Sequence, residues 1–222
     1  MLACRLQPVQ LPPLTDLLAL LGIDLVLCAG CLRLLAGRGG VSPSAKWGTA
    51  LCFLVLWLPF GASRLPLLAY VRGISSDLSI TLVALAGVGL WRRLLALSAV
   101  AGRERLALYR VLSVAALFLY PAALGWGDWD SYRSGWGAWS VWTALLLVSL
   151  FSWVIGLRLL PLLIALSLVA WSANLMESTN LWDYLLDPWL AGVALFQSLN
   201  SGAQWSLSLF RRSGPSAGNI EH

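Results

Sequence analysis

Hydrophobic residues occur along this chain in long runs, broken by short clusters of charge, glycine and proline. Seven apolar segments stand out, at about 17–36, 45–61, 78–97, 106–124, 138–156, 159–175 and 188–210. A membrane-spanning helix needs about 20 predominantly apolar residues. The pattern therefore predicts an all-α, polytopic transmembrane bundle of about seven spans. The second segment is short and contains Pro59, and a re-entrant hairpin in its place would leave six. The expected plan is a short outer tail over 1–16, one transmembrane helical domain over 17–210 and a polar tail over 211–222. The opening MLACRLQPVQLPPL carries no apolar core, so it is not read as a signal peptide. Leu2-Ala3-Cys4 mimics a lipoprotein cleavage box without the hydrophobic segment such a box needs.

The polar positions set an orientation. With the N-terminus outside, the inner connections hold Arg33, Arg38, Lys46, Arg92, Arg93, Arg103, Arg105, Arg110, Arg158, Arg211 and Arg212. Only Arg5, Arg64, Arg72 and Arg133 fall on the outer side, and eleven against four is the bias expected of cytoplasmic loops. Acids sort oppositely: Asp16, Asp77, Asp128, Asp130, Glu177, Asp183 and Asp187 are outer, and Glu104 and Glu221 inner. The first outer connection, 62–77, is apolar with two arginines and is expected to lie flat at the interface. The second, 125–137, is rich in Gly and Trp and is no span; its tryptophans suit the headgroup level. The short GLRLLP turn around Arg158 makes spans five and six a tight antiparallel hairpin, and no internal repeat is visible.

Composition supports this reading. The 222 residues are 59% hydrophobic and 11% charged, well below the charged share of soluble domains. A net charge of +5 raises the question of nucleic acid, but the arginines are placed as a topology signal. Arg supplies all but one of the fifteen basic residues, which with abundant Leu, Ala, Gly and Trp suggests a GC-rich bacterial genome. With the spans and orientation above, the expected location is the bacterial cytoplasmic (inner) membrane.

Several polar residues are in excess of what topology needs. Asp16, Asp77 and Asp187 each precede an apolar run and are expected to cap helices, Asp187 with Pro188 at the first helical position. Asp24 lies inside the first span, where an ionisable group is costly and must find a partner; Arg64 or Arg72 is the expected one. On a continuous helix Asn180, Asp183 and Asp187 would fall within about 60° of one another, with Glu177 apart. That face is expected at a solvated rim, or turned toward Asp128 and Asp130. Asp128-Trp129-Asp130 is a weak D-x-D, whose hard oxygen ligands would suit a divalent cation. Gln197, Asn200, Ser201 and Gln204 form a polar stripe in the last span, read first as interhelical hydrogen bonding. Cys28 and Cys31 form CAGC within the first span and are read as packing residues.

Absences narrow the chemistry. His222 is the only histidine, which removes histidine-dependent phosphatase, rhomboid-type protease and haem-ligand mechanisms, and no Walker A loop is present. Three functions remain. The first is a non-enzymatic accessory of an envelope process, recognising a lipid headgroup or membrane-protein partner at an outer polar mouth. Arg64, Arg72 and Arg133 would contact phosphate, with Asp128, Asp130, Glu177, Asn180 and Asp183 binding hydroxyls, amines or a divalent ion. The second is a small metal-dependent transferase or hydrolase acting on a lipid-linked substrate. The third is a small-solute transporter using Asp24 and the polar stripe. No cofactor is expected beyond that divalent cation.

Overall fold

The computed structural model describes residues 13–36 and 40–213, with side chains as far as 206. The expectations for residues 1–12, Arg38, the tail beyond Ser213 with His222, and the side chains of Arg211 and Arg212 lie outside the described residues. Within them the elements run α1 (Leu14–Leu35), α2 (Pro43–Leu56), β1 (Pro59–Phe60), β2 (Leu65–Pro66), α3 (Leu67–Ser75), α4 (Ile80–Leu94) and α5 (Gly102–Ala123). A 3₁₀ turn (Tyr132–Trp136) follows, then α6 (Trp139–Val154), α7 (Leu159–Ser172), α8 (Leu181–Leu185) and α9 (Pro188–Ser213). The described residues are thus helical in every long element, with one two-residue antiparallel ladder, Pro59 against Pro66 and Phe60 against Leu65.

Each of the seven apolar segments holds one long helix: α1, α2, α4, α5, α6, α7 and α9. Among the described residues only α1 and α5 are long and apolar enough to cross a membrane by themselves, at 22 residues each. At 1.5 Å per residue they extend about 33 Å, matching a hydrocarbon core of about 30 Å. α6 and α7 are as apolar but shorter, with 16 and 14 residues. Helix length alone therefore supports two spans, and α2 stops three residues before Pro59. The outward faces add a separate observation. Only 28% of the most apolar window in α1, and in α5, is buried. On α6, Leu146, Leu147, Leu150, Phe151 and Val154 are all exposed. Helices that are apolar all round and still uncovered suit a lipid surrounding.

Local chemistry explains where the helices start and stop. Ser42 and Ser79 accept the Ala45 and Leu82 N–H groups as N-caps of α2 and α4. Schellman motifs end α4, α5, α6 and α7: in α4 the Leu97 and Ala96 N–H groups donate to the Arg92 and Arg93 carbonyls. The left-handed residue is Gly125, Gly156 and Asn174 in the other three. α5 packs along α9, α1 lies against α2 and α4, and α7 contacts α4, α5, α6 and α8. The core runs from Leu108, Leu112 and Leu119 on α5 through Leu160, Leu163 and Ile164 on α7 to Leu190 and Ala194 on α9. A methyl on Gly22 of α1 would sit 3.1 Å from Val83 Cγ2 of α4, so the missing side chain permits that close approach.

Candidate functional site

The segment between α7 and α9 draws together one face of the bundle. Pro188 lacks an N–H and disfavours helical geometry in the residue before it. Accordingly α8 stops at Leu185, Leu186 is extended, and α9 starts at Pro188. The expected continuous helical face is therefore absent, and Asn180, Asp183 and Asp187 point to three different partners.

Asp187 is buried and starts α9 as expected, accepting the Leu190 N–H at 2.8 Å through Oδ1. Its Oδ2 also accepts the backbone N–H and hydroxyl of Ser79, at 2.9 and 2.6 Å. Asn180, also buried, caps α8 through the Trp182 N–H and donates Nδ2–H to the Tyr132 carbonyl at 2.9 Å. The Asp183 carboxylate accepts the Tyr132 hydroxyl at 2.7 Å and the Ser178 hydroxyl. Burial first, then the Asp183 bond, pushes the Tyr132 phenol above its ordinary pKa. The Tyr184 hydroxyl donates to the Ser178 carbonyl and accepts the Met176 N–H, and burial raises its pKa too. Trp182 Nε1 donates to Ser134 Oγ at 3.1 Å. Gly135 seals this junction: a methyl there would collide with Asn180 Oδ1 and lie 2.6 Å from Trp182 Cδ1. The third acidic connection thus faces the second, as the sequence allowed, but it meets Tyr132 and Ser134. Asp128 and Asp130 stay on the exposed rim, where Asp130 Oδ1 accepts the Arg133 N–H in a local turn.

Arg72, at the end of α3, gathers three carboxylates. Its guanidinium bonds Asp16 and Asp77 at 2.7 Å each and Glu177 at 3.0 Å. Asp77 first, then Asp16 and Glu177, hold it charged and raise its pKa against the opposing effect of burial. The capping roles expected of Asp16 and Asp77 are corrected: Pro13 and Ser79 occupy those cap positions, and both acids turn to Arg72. With three acids already on it, Arg72 is not the partner of Asp24. That fully buried carboxylate accepts Trp57 Nε1–H at 2.6 Å and the Cys28 thiol at 3.4 Å. Arg64 is exposed in the β1–β2 turn at φ 50°, so neither expected arginine reaches Asp24.

The remaining candidates are dispersed. Gln197 is half-buried, Ser201 bonds back to the Gln197 carbonyl, and Asn200 and Gln204 are exposed. The α5–α9 hydrogen bond is made by Ser113 and Ser198 at 2.9 Å, off the expected stripe. Cys28 packs between α1 and α2, its one S–H shared between Asp24 and, more weakly, the Thr49 carbonyl, and it is in no disulfide. Among the described residues no three His, Cys, Asp or Glu side chains are grouped to hold a metal ion. Tyr132, Ser178, Ser79 and Trp57 are the residues that sequence reasoning missed. Only Ser79 carried a local signal, as a serine just before an apolar run; the others act through partners distant in sequence.

Beneath this polar layer lies an apolar cleft of about 490 Å³ between α5, α6 and α7. Leu112, Leu163 and Ile164 form its floor, and Trp129, Ser134 and Trp182 stand at its polar end. Val114, Phe118 and Ala144 on its rim are exposed, so it opens on the flank of the bundle. No protein-family model, curated protein or solved structure matches the chain. The site is therefore read from its own chemistry. Apart from the exposed Asp128 and Asp130, its carboxylates are engaged by Arg72, Tyr132, Ser178 and Ser79, so this polar layer forms a hydrogen-bonded roof, while the cleft below offers apolar surface.

Proposed function

We propose that the protein is a seven-span bacterial inner-membrane protein, N-terminus outside, that acts without catalysis as an accessory of an envelope process. It holds a membrane lipid by an acyl chain in the cleft between α5, α6 and α7. The observation that carries this reading is the cleft itself, apolar along its length, open on the flank and closed at its polar end by Trp129, Ser134 and Trp182, through which it meets the Tyr132–Asn180–Asp183 layer. Pockets of this kind, mostly apolar with a few placed polar groups, are the usual form of small-molecule sites. The headgroup would then lie near Trp129, Ser134 and the exposed Asp128, Asp130 and Arg133 rather than at Arg72, whose charge is already neutralised. The arginine asymmetry and the uncovered apolar faces of α1, α5 and α6 support the membrane placement.

A metal-dependent transferase or hydrolase draws less support, because, of the carboxylates it would use, Asp183 is bonded to Tyr132 and Ser178 and Glu177 to Arg72, while Asp128 and Asp130 stay on the exposed rim. A transporter would rest on Asp24, which is held by Trp57 and Cys28 between α1 and α2. The test is to purify the protein in a mild detergent and quantify retained lipid by mass spectrometry, beside an Ala115→Trp/Ala144→Trp variant that fills the cleft. Retained lipid should fall by more than half in the variant with its helicity unchanged. Equal retention in both proteins rules the cleft out as the lipid site.

A further inference from the structure

A second crevice, of about 550 Å³, lies at the opposite face of the bundle, between the α1–α4 pair and the α5–α9 pair. Its mouth is lined by Arg33 of α1, Arg92 and Arg93 of α4 and Arg105 of α5. No carboxylate lines it, and among the described residues none of the four arginines is in an ion pair. Glu104, the nearest acid in sequence, is turned to the Arg158 N–H at the start of α7, at 2.7 Å. Four like charges converging on one concavity repel one another unless an anion joins them. The fold holds them there through specific geometry. The Schellman turn after α4 fixes Arg92 and Arg93, and Arg92 Nε donates to the Ser98 carbonyl at 2.7 Å, which orients its guanidinium plane.

The crevice does not end at the arginines. Its lining continues along α4 from Arg93 to Leu82, about 16 Å at 1.5 Å per residue. On α9 it reaches Leu190 and Val193, past Gln197. One end is strongly cationic and the remainder is almost wholly apolar. A free inorganic anion would use only the first part of this site. An amphiphile with a phosphate head and an acyl tail would use both.

We propose that this crevice is a binding site for a phosphate-bearing anionic lipid, with the phosphate between Arg33, Arg92, Arg93 and Arg105 and one acyl chain along α4 toward Leu82. Arginine suits the role because its planar fork bonds phosphate oxygens in pairs. Basic pockets between helices at the cytoplasmic side of a membrane are a recognised setting for such headgroups. The inference rests on the membrane placement above for the source of the ligand. It is independent of the lipid cleft beneath the acid-rich face.

The full-length protein in a neutral detergent is titrated with phosphatidylglycerol, phosphatidylcholine and inorganic phosphate, and the shift in its unfolding temperature is read. Phosphatidylglycerol should give a saturable upward shift, phosphatidylcholine none that saturates, and phosphate none in the concentration range where the lipid acts. Arg33→Gln/Arg93→Gln, which removes no hydrogen bond of the fold, should weaken the lipid by about tenfold or more. Arg103→Gln/Arg110→Gln, exposed and outside the crevice, should leave it within about twofold. Saturation by phosphate at the same concentration as by the lipid overturns the amphiphile assignment. Equal losses in the two double variants overturn the crevice as a site. Ala115→Trp/Ala144→Trp should keep the phosphatidylglycerol response, so a failure of the other lipid cleft is told apart from a failure here.

Discussion

Asp187 Oδ2 accepts both the backbone N–H and the hydroxyl of Ser79, residues 108 positions apart in the chain. Because Asp187 Oδ1 caps α9 and Ser79 Oγ caps α4, one buried carboxylate organises the start of two helices. Asp187→Ala leaves buried donors on Ser79 and Leu190 without an acceptor, each the kind of group that costs about 1–3 kcal/mol when orphaned. The expected loss is about 3 kcal/mol, read from thermal or chemical unfolding in detergent. Asp187→Asn keeps one acceptor oxygen and should lose about half as much. Equal stability of the Ala variant and the parent would show that the contact does not tie α4 to α9.

Arg72 holds Asp16, Asp77 and Glu177, and it is the shared cation rather than any single acid that matters. Its side chain is 20% exposed, whereas Glu177 is 64% exposed. Arg72→Met leaves three carboxylates facing one another and should cost about 2 kcal/mol, less than breaking a fully buried pair because these side chains are partly exposed. Glu177→Gln should change stability by about 0.5 kcal/mol or less, as for exposed pairs. Adding Asp16→Asn to Arg72→Met should recover part of the loss by easing repulsion. A double variant less stable than Arg72→Met alone would show that repulsion is not the cause.

The sequence carried the helices well and the contacts poorly. Apolar runs set all seven long helices because an unbroken hydrophobic stretch needs no partner to be recognised. Asp187-Pro188 was legible for a similar reason, since its capping geometry is local. Asp24 was placed correctly as buried, yet its partner was misread. Charge complementarity suggested arginine, whereas the bond comes from Trp57 Nε1, a donor that carries no signature in sequence. Asp16 and Asp77 looked like caps for the same local reason that served at Asp187. Their pairing with Arg72 depends on how α3 lies against α1 and on the turn that follows α3. Of the expected outer mouth, Glu177, Arg72, Asn180 and Asp183 join ordered networks, but two separate ones. Arg64, Asp128, Asp130 and Arg133 remain on the exposed surface.

Gly135 shows how tightly the roof is packed. A methyl there collides with Asn180 and crowds Trp182, both buried and hydrogen-bonded to the 3₁₀ turn. Gly135→Ala must push the turn away from α8, and overpacking of this kind costs about 1–3 kcal/mol. The expected signature is a shift in tryptophan fluorescence with helicity preserved, since Trp182 would lose its Ser134 bond before any long helix unfolds. Gly192→Ala, within α9 with nothing within 4 Å of the added methyl and no positive φ, should be tolerated. Equal effects at the two positions would contradict the packing account.

Tyr132 gives the roof a pH dependence of known sign. Burial and the Asp183 bond raise its pKa above the ordinary phenol value of about 10. The folded protein therefore keeps this proton in a range where the unfolded chain releases it. The stabilisation is fully present below the unfolded-state pKa of about 10 and is lost as pH rises through the higher folded-state value. Tyr132→Phe removes this group and its bond to Asp183, while Ser178 remains as a donor. The variant should be less stable by about 1 kcal/mol at neutral pH. Above pH of about 10 its unfolding temperature should fall less steeply than the parent's, with Tyr184 contributing to the slope that remains. Parallel alkaline slopes for the two proteins would mean that Tyr132 ionises as freely in the fold as in the unfolded chain.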